Sequence, residues 1–333
     1  MTAYPAPSPA RTASPMHDAP AGMLDVSVLV PAKDEAENLP EFMRLAAEAF
    51  GASHASYEVV VIDDGSVDDS AAVLARLAAQ YPFLRVVHHR SQRGIAEALR
   101  SGWLQSRGRV LVFYPADLQF MPADIPQLVA PILADTADMV TGYKQGHYDK
   151  AFVSGIYNGL SRMLFHVPVR DLNSVKAYRR EIMDVLPGRA DWHRYMIVVA
   201  AAQGFTVAEV PVAVHPRRAG RSKFGLSRIP VGVLDMLSVW FELRFAQKPL
   251  LLFGMMGAGL FFIGFLAGVV ALGWLAFRGE GIRSVWTVIQ TCLILGSVLF
   301  ATGLLGEQIA QQRAELRELR RELDGLRAPR ADD

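Results

Sequence analysis

Residues 57–66, YEVVVIDDGS, run through four consecutive β-branched residues, Val59 to Ile62, and stop on two carboxylates, a glycine and a serine. An unbroken apolar run of this length suits a strand buried on both faces of a parallel sheet, and therefore a central strand. Asp63 and Asp64 then stand at its carboxyl end, the edge at which open α/β sheets bind ligands, with Gly65 allowing a sharp turn. Two readings of the four residues stay open. They form the rim of a nucleotide site, or Asp63, Asp64 and Ser66 make a turn and an N-cap for a helix starting near Val67.

Working outward, residues 25–31 (DVSVLVP) read as a first strand, and the segment from Lys33 carries apolar residues at helical spacing. A third strand is expected over 84–88 and a helix over about 92–106. Residues 109–114, RVLVFY, are a further buried strand, and they run into Pro115-Ala116-Asp117-Leu118-Gln119. This alternation predicts a doubly wound, mostly parallel α/β sheet whose functional loops share one edge. Asp63, Asp64 and Asp117 are expected to converge there. Converging carboxylates call for a cation, and Asp117 with Gln119 offers oxygen ligands suited to Mg²⁺ or Mn²⁺ bridging a pyrophosphate, unless the loop is only a solvated turn. Helices are expected over 149–165 and 191–203, and a strand over 206–214 that Pro211 confines to an edge or a bend.

The 333 residues contain 34 Lys plus Arg against 33 Asp plus Glu, a net charge of +1, so the whole chain has no bias toward polyanions and no nucleic-acid partner is expected. Cys292 is the only cysteine, which excludes an internal disulfide and a cysteine-based metal cluster. Charge is instead local. Between His215 and Lys248 lie Arg217, Arg218, Arg221, Lys223, Arg228, Arg244 and Lys248 against only Asp235 and Glu242. Residues 1–24, rich in Pro, Ala, Ser and Thr, are read as a disordered tail.

Residues 229–248 have the pattern of an amphipathic helix lying in a membrane interface. The next stretch, 250–277, is uncharged and as a helix would span roughly 42 Å, more than the ~30 Å hydrocarbon core. A polar turn at 278–284 leads to a second uncharged stretch, 285–306, completing a transmembrane hairpin within 249–306. The basic residues before Leu250 and in the Arg-rich tail outnumber Arg278 and Arg283, which puts the soluble domain in the cytoplasm. From 307 to 327, Ile309, Leu316, Leu319, Leu323 and Leu326 fall on a and d positions with Gln312. That pattern serves a homo-oligomeric coiled coil or a single helix on the membrane surface.

The order of Val30-Pro31-Ala32-Lys33-Asp34-Glu35 with Asn38, Ile62-Asp63-Asp64-Gly65-Ser66 with Asp68, Gly94, Ala98 and Gly102, Ala116-Asp117-Leu118-Gln119, and Arg217, Gly220, Ser222 and Lys223 resembles glycosyltransferase family 2 over about residues 25–306. It is most similar to the membrane branch typified by dolichol-phosphate mannose synthase and bacterial polyprenyl-phosphate glycosyltransferases. The resemblance implies a GT-A fold over 25–228 and inverting transfer from a nucleotide sugar to a membrane polyprenyl phosphate, at the cytoplasmic face of a bacterial inner membrane. It implies a donor site at Pro31, Lys33, Glu35, Ile62, Asp63, Asp64, Ala116 and Arg218, a metal at Asp117 and Gln119, and catalytic roles for Asp117, Arg217 and Lys223. Pro115 stands where the family's Asp-x-Asp motif has its first aspartate, which removes one oxygen ligand. Lys144 and His147 stand where many relatives carry arginines around the acceptor, and Asn173 to Lys176 lacks the usual glycine. Two alternatives accompany this reading: another membrane acceptor, or a catalytically silent nucleotide-sugar-binding scaffold.

Overall fold

Strands β1 (Leu24–Ala32) and β2 (Tyr57–Asp63) are the floor of the molecule, and Val28 to Val30 and Val59 to Ile62 have no exposed surface. They belong to a computed structural model that describes residues 22–51, 53–145, 169–172, 174–186, 192–216, 236–241, 248–279 and 283–327, with Gly159, Leu164, Phe165 and Leu234. The chain divides into two units, Met1–Val233 and Leu234–Asp333.

In the first unit, β3 (Leu84–His88), β4 (Gly108–Phe113), β5 (Met139–Gln145), β6 (Lys176–Arg179) and β7 (Val207–Ala213) complete a seven-stranded sheet in the order β3-β2-β1-β4-β6-β5-β7. Four of its six neighbouring pairs are parallel, and β6 alone runs against both β4 and β5. Sheet order reverses at β1, with β2 and β3 on one side and β4 onward on the other, so the loops after β1, β2 and β4 leave the same edge at the switch point. Pro211 lies on the outermost strand opposite Tyr143, an edge position that tolerates its missing N–H.

Helices α1 (Leu39–Gly51), α2 (Ser70–Gln80), α3 (Ile95–Gln105) and α4 (Ile125–Leu133) fill the crossovers. The first three begin about three to six residues later than apolar periodicity suggests, because the residues between strand and helix are spent on loop-to-loop hydrogen bonds. The N-cap of α2 is Asp69, and Ser66 does not cap it. The expected helix over 149–165 lies outside the described residues, apart from three positions. Helices α5 (Ile182–Val185) and α6 (Trp192–Ala202) follow β6. Strand β6, KAYR, lacks the apolar run that marks a buried strand in sequence. Its Lys176 and Arg179 are nonetheless buried, Lys176 donating to the Leu172 and His193 carbonyls at 3.0 and 3.2 Å and Arg179 pairing with Asp135 and Asp138.

In the second unit, residues 236–241 are helical with Met236 and Val239 buried, and the remainder of 229–248 lies almost wholly outside the described residues. A π-helical turn, Leu250–Gly254, enters α7 (Met255–Arg278), which ends on left-handed Gly279. The return helix α8 (Arg283–Arg327) is continuous for 45 residues. It passes residue 306, where the uncharged stretch meets the charged tail, without interruption. At Gly306 the helix passes so close to Pro249 that a Cβ would lie 2.8 Å from its ring, and the Glu307 carboxylate accepts the Leu250 N–H at 3.3 Å. The two helices meet through glycines: a Cβ on Gly257 would come 2.5 Å from the Phe300 nitrogen, and one on Gly296 2.6 Å from the Phe261 nitrogen. Small residues at such a crossing are how helices associate where no hydrophobic drive separates them from lipid. Leu250–Arg278 and Val285–Leu316 are candidate membrane spans, and their large apolar side chains mostly face outward.

Candidate active site

Two strand-end loops are stitched together at the carboxyl edge of β1 and β2. Pro31 lies opposite Ile62 and Ala32 opposite Asp63 in register. Past the strands, the Asp34 N–H donates to Ser66 Oγ (2.9 Å), the Val67 N–H to Asp34 Oδ1 (2.9 Å), the Glu35 N–H to Ser70 Oγ (3.0 Å) and the Ala36 N–H to Asp68 Oδ2 (3.2 Å). Lys33 Nζ reaches the Gly65 carbonyl at 2.9 Å and Asp34 at 3.4 Å. Asp34 takes a left-handed φ of 57° to make these contacts. Gly65 has φ +70° and passes so close to the β3–α3 loop that a Cβ would lie 2.6 Å from the Ser91 carbonyl carbon.

Asp63 accepts the Ser66 N–H at 2.9 Å and contacts His88 Nδ1 at 3.0 Å. Asp64 accepts the N–H groups of Arg93 and Gly94, both at 2.8 Å, and contacts His89 Nδ1 at 2.8 Å, while His89 Nε2 meets Ser101 Oγ at 2.9 Å. Burial pushes the Asp63 carboxyl up, but the Ser66 and His88 bonds outweigh it and hold it below 3.8. Asp64 is likewise raised by burial and lowered further by Arg93, His89 and Gly94. Both are ionised clasps on neighbouring loops.

The loop after β4 leaves the same edge. Phe113 lies opposite Leu29, and the Tyr114 N–H donates to the Leu29 carbonyl at 3.1 Å. Ala116 is buried, whereas Asp117 and Gln119 are half-buried, with left-handed Leu118 between them and the Gln119 N–H bonded to Asp117 Oδ1 at 3.2 Å. Among the described residues no three His, Cys, Asp or Glu side chains form a metal cluster, and Asp63 and Asp64 are not among the metal ligands expected at Asp117 and Gln119. The physical reason is that Asp63 and Asp64 already serve histidines and backbone amides. Asp117 and Gln119 alone still fit Mg²⁺ or Mn²⁺, since such ions accept one or two protein oxygens and fill the rest of their shell with phosphate and water.

Ile62 is fully buried, and its Cδ1 sits 2.7 Å from where a Cβ on Gly102 would be, so its side chain packs under α3. Pro31, Lys33 and Glu35 lie on the rim. Arg217, Arg218 and Lys223, together with His147, lie outside the described residues. Sequence reasoning missed His88, His89, Ser101 and an anchor at His215, whose N–H donates to the Gln119 carbonyl at 2.9 Å. It also missed the partner of Lys144, whose Nζ lies 3.0 Å from buried Asp171. The signal for the histidines was their place at the end of β3, the same rule that singled out the carboxylates.

Residues 27–169 match the family model for Glycosyl transferase family 2. That stretch is similar to family 2 glycosyltransferases. The glycosyltransferase is 29% identical over 307 residues to dodecaprenyl-phosphate galacturonate synthase of Rhizobium johnstonii, covering 88% of this chain and 89% of the relative. It is 29% identical over 297 residues to undecaprenyl-phosphate 4-deoxy-4-formamido-L-arabinose transferase of Sodalis glossinidius, covering 86% and 88%. Among solved structures, glucosyl-3-phosphoglycerate synthase from Mycobacterium tuberculosis, in complex with Mn²⁺, uridine diphosphate and glucosyl-3-phosphoglycerate, superposes with TM-score 0.53 at 21% identity, over 65% of this chain and 80% of that one. The glycosyltransferase thus has a GT-A-like fold followed by two candidate membrane helices.

Proposed function

We propose that this glycosyltransferase moves a sugar from a nucleoside diphosphate donor to a polyprenyl phosphate at the cytoplasmic face of a membrane, inverting the anomeric carbon. The observation that carries the reading is the length of the similarity. The two polyprenyl-phosphate transferases match over nearly nine-tenths of the chain, a span that must reach past the GT-A-like domain into the candidate membrane helices.

The donor belongs on the stitched rim. Pro31, Lys33, Glu35, Asp63 and Asp64 build it, Asp63 and Asp64 chiefly by fixing the loops that face the base and ribose. Asp117 and Gln119 would hold the metal, which supplies charge neutralisation at the diphosphate when bound. The acceptor needs no general base, because a phosphate monoester with a second pKa of ~6 is already a dianionic nucleophile near neutrality. One acceptor oxygen forms a bond to the anomeric carbon, and the bond from that carbon to the diphosphate breaks with its electron pair leaving on the nucleotide. What the protein contributes is alignment and charge. Lys144, oriented by Asp171, supplies one cation for the acceptor phosphate. Arg217, Arg218 and Lys223 supply others, from a segment that begins two residues beyond the His215–Gln119 anchor.

The test is a panel of lipid acceptors given to the full-length protein in membranes with labelled nucleotide sugars and Mn²⁺. Label should enter polyprenyl phosphate but not polyprenol or diacylglycerol, and Asp117→Asn should lower the rate by roughly 10², the scale of one lost electrostatic contact to a developing charge. Transfer to diacylglycerol would move the acceptor elsewhere. Failure of every donor and acceptor would favour the silent scaffold that Pro115 suggests.

A further inference from the structure

Helix α8 carries an apolar stripe that α7 leaves uncovered. The contact with α7 and the π-helical turn before it runs along one side of α8, through Ile289, Cys292, Gly296, Phe300 and Gly303. On the other side of the axis, at ~100° per residue, lie Leu295, Val298, Leu305, Ile309, Leu316 and Leu319, every one exposed. They keep a seven-residue a/d repeat in which Thr302 and Gln312 take the intervening positions. Because α8 is continuous through residue 306, this repeat begins inside the candidate span and continues without a break into the polar tail.

We propose that this stripe is the docking surface for a second copy of the same chain, the two α8 helices pairing in parallel. The charges flanking the stripe in the sequence name the partner. Positions g carry Glu315 and Glu322, and positions e carry Arg313, Arg320 and Arg327. In a parallel pair a g residue faces the e residue five places on in the other chain. Glu315 then meets the partner's Arg320, Glu322 meets the partner's Arg327, and symmetry doubles both. In an antiparallel pair g meets g and e meets e, which sets Glu against Glu and Arg against Arg. Two copies inserted in one membrane with one topology run their helices the same way, so the arrangement the charges favour is also the one the membrane imposes. Gln312, the polar d residue, disfavours slipped registers in which it would face a leucine.

The experiment uses the full-length protein in membranes, in a Cys292→Ala background, with single cysteines on α8. Oxidation should join Leu319→Cys chains into dimers, while Ala314→Cys on the far side of the helix should yield on the order of tenfold less. Reversing both acids (Glu315→Arg with Glu322→Arg) or both bases (Arg320→Glu with Arg327→Glu) should weaken Leu319→Cys crosslinking by on the order of tenfold, since four attractive pairs become repulsive. Co-expressing the two charge-reversed proteins under different tags should restore crosslinking, now between unlike chains. That rescue separates loss of pairing from misfolding. Equal crosslinking at 314 and 319, none at either, or charge reversals without effect or without mutual rescue would overturn the proposal.

Discussion

Asp64 receives two backbone N–H bonds and a histidine contact in a nearly solvent-free position, and no neutral side chain of its size can replace it. In Asp64→Asn the amide keeps one acceptor oxygen and turns its NH₂ toward donors, leaving buried groups unpaired at a cost of about 1–3 kcal/mol. The pH dependence has a definite sign. A carboxyl whose folded pKa lies below its unfolded value of 3.8 stabilises the fold above 3.8 and loses that contribution as pH falls through the folded value. Wild type should therefore exceed Asp64→Asn in thermal stability at neutral pH, and the gap should close as the solution is acidified below 3.8. A gap that stays constant across that range would mean the carboxylate charge is not what holds the 89–94 loop.

At the scale of elements, the hairpin of α7 and α8 depends on backbone approach that only glycine permits. In Gly296→Leu the Cβ alone would fall 2.6 Å from the Phe261 nitrogen and 2.7 Å from the Gly257 carbonyl oxygen. The helices must separate, and detergent-solubilised Gly296→Leu should melt well below wild type, whereas Gly273→Leu, with nothing within 4 Å, should not. Much of this level was legible in sequence. The runs at Val59–Ile62 and Leu111–Phe113 are β-branched or bulky and could only be buried strands, and the uncharged stretches after Leu250 and Val285 could only be apolar helices. Strand β6 was not legible, since its lysine and arginine find carbonyls and carboxylates contributed by residues from 135 to 193. The close approach of Gly306 to Pro249 did not show, because the two lie far apart in sequence. In the site, Asp117 and Gln119 stand where the strand-end rule put them. The roles of Asp63 and Asp64 as clasps did not show, because their partners, His88, His89, Arg93 and Gly94, come from another crossover.

For the whole molecule, the proposed topology puts residues 1–248 and 307–333 on the cytoplasmic side and the turn between α7 and α8 on the other face, the arrangement that the distribution of Arg and Lys favours. A cysteine at Gly281 in the Cys292→Ala background should react with an impermeant reagent applied from outside intact cells. Reaction only after permeabilisation would invert the arrangement. The central claim is chemical: the sugar, and not a sugar phosphate, passes to a lipid phosphate. Mass spectrometry of the lipid product formed by the full-length protein from polyprenyl phosphate and its nucleotide sugar decides it. The account predicts a lipid with a single phosphate bearing one sugar, joined with the anomeric configuration opposite to the donor's, and a nucleoside diphosphate released in equal amount. A product carrying two phosphates with release of nucleoside monophosphate, or one that retains the donor's configuration, would contradict it.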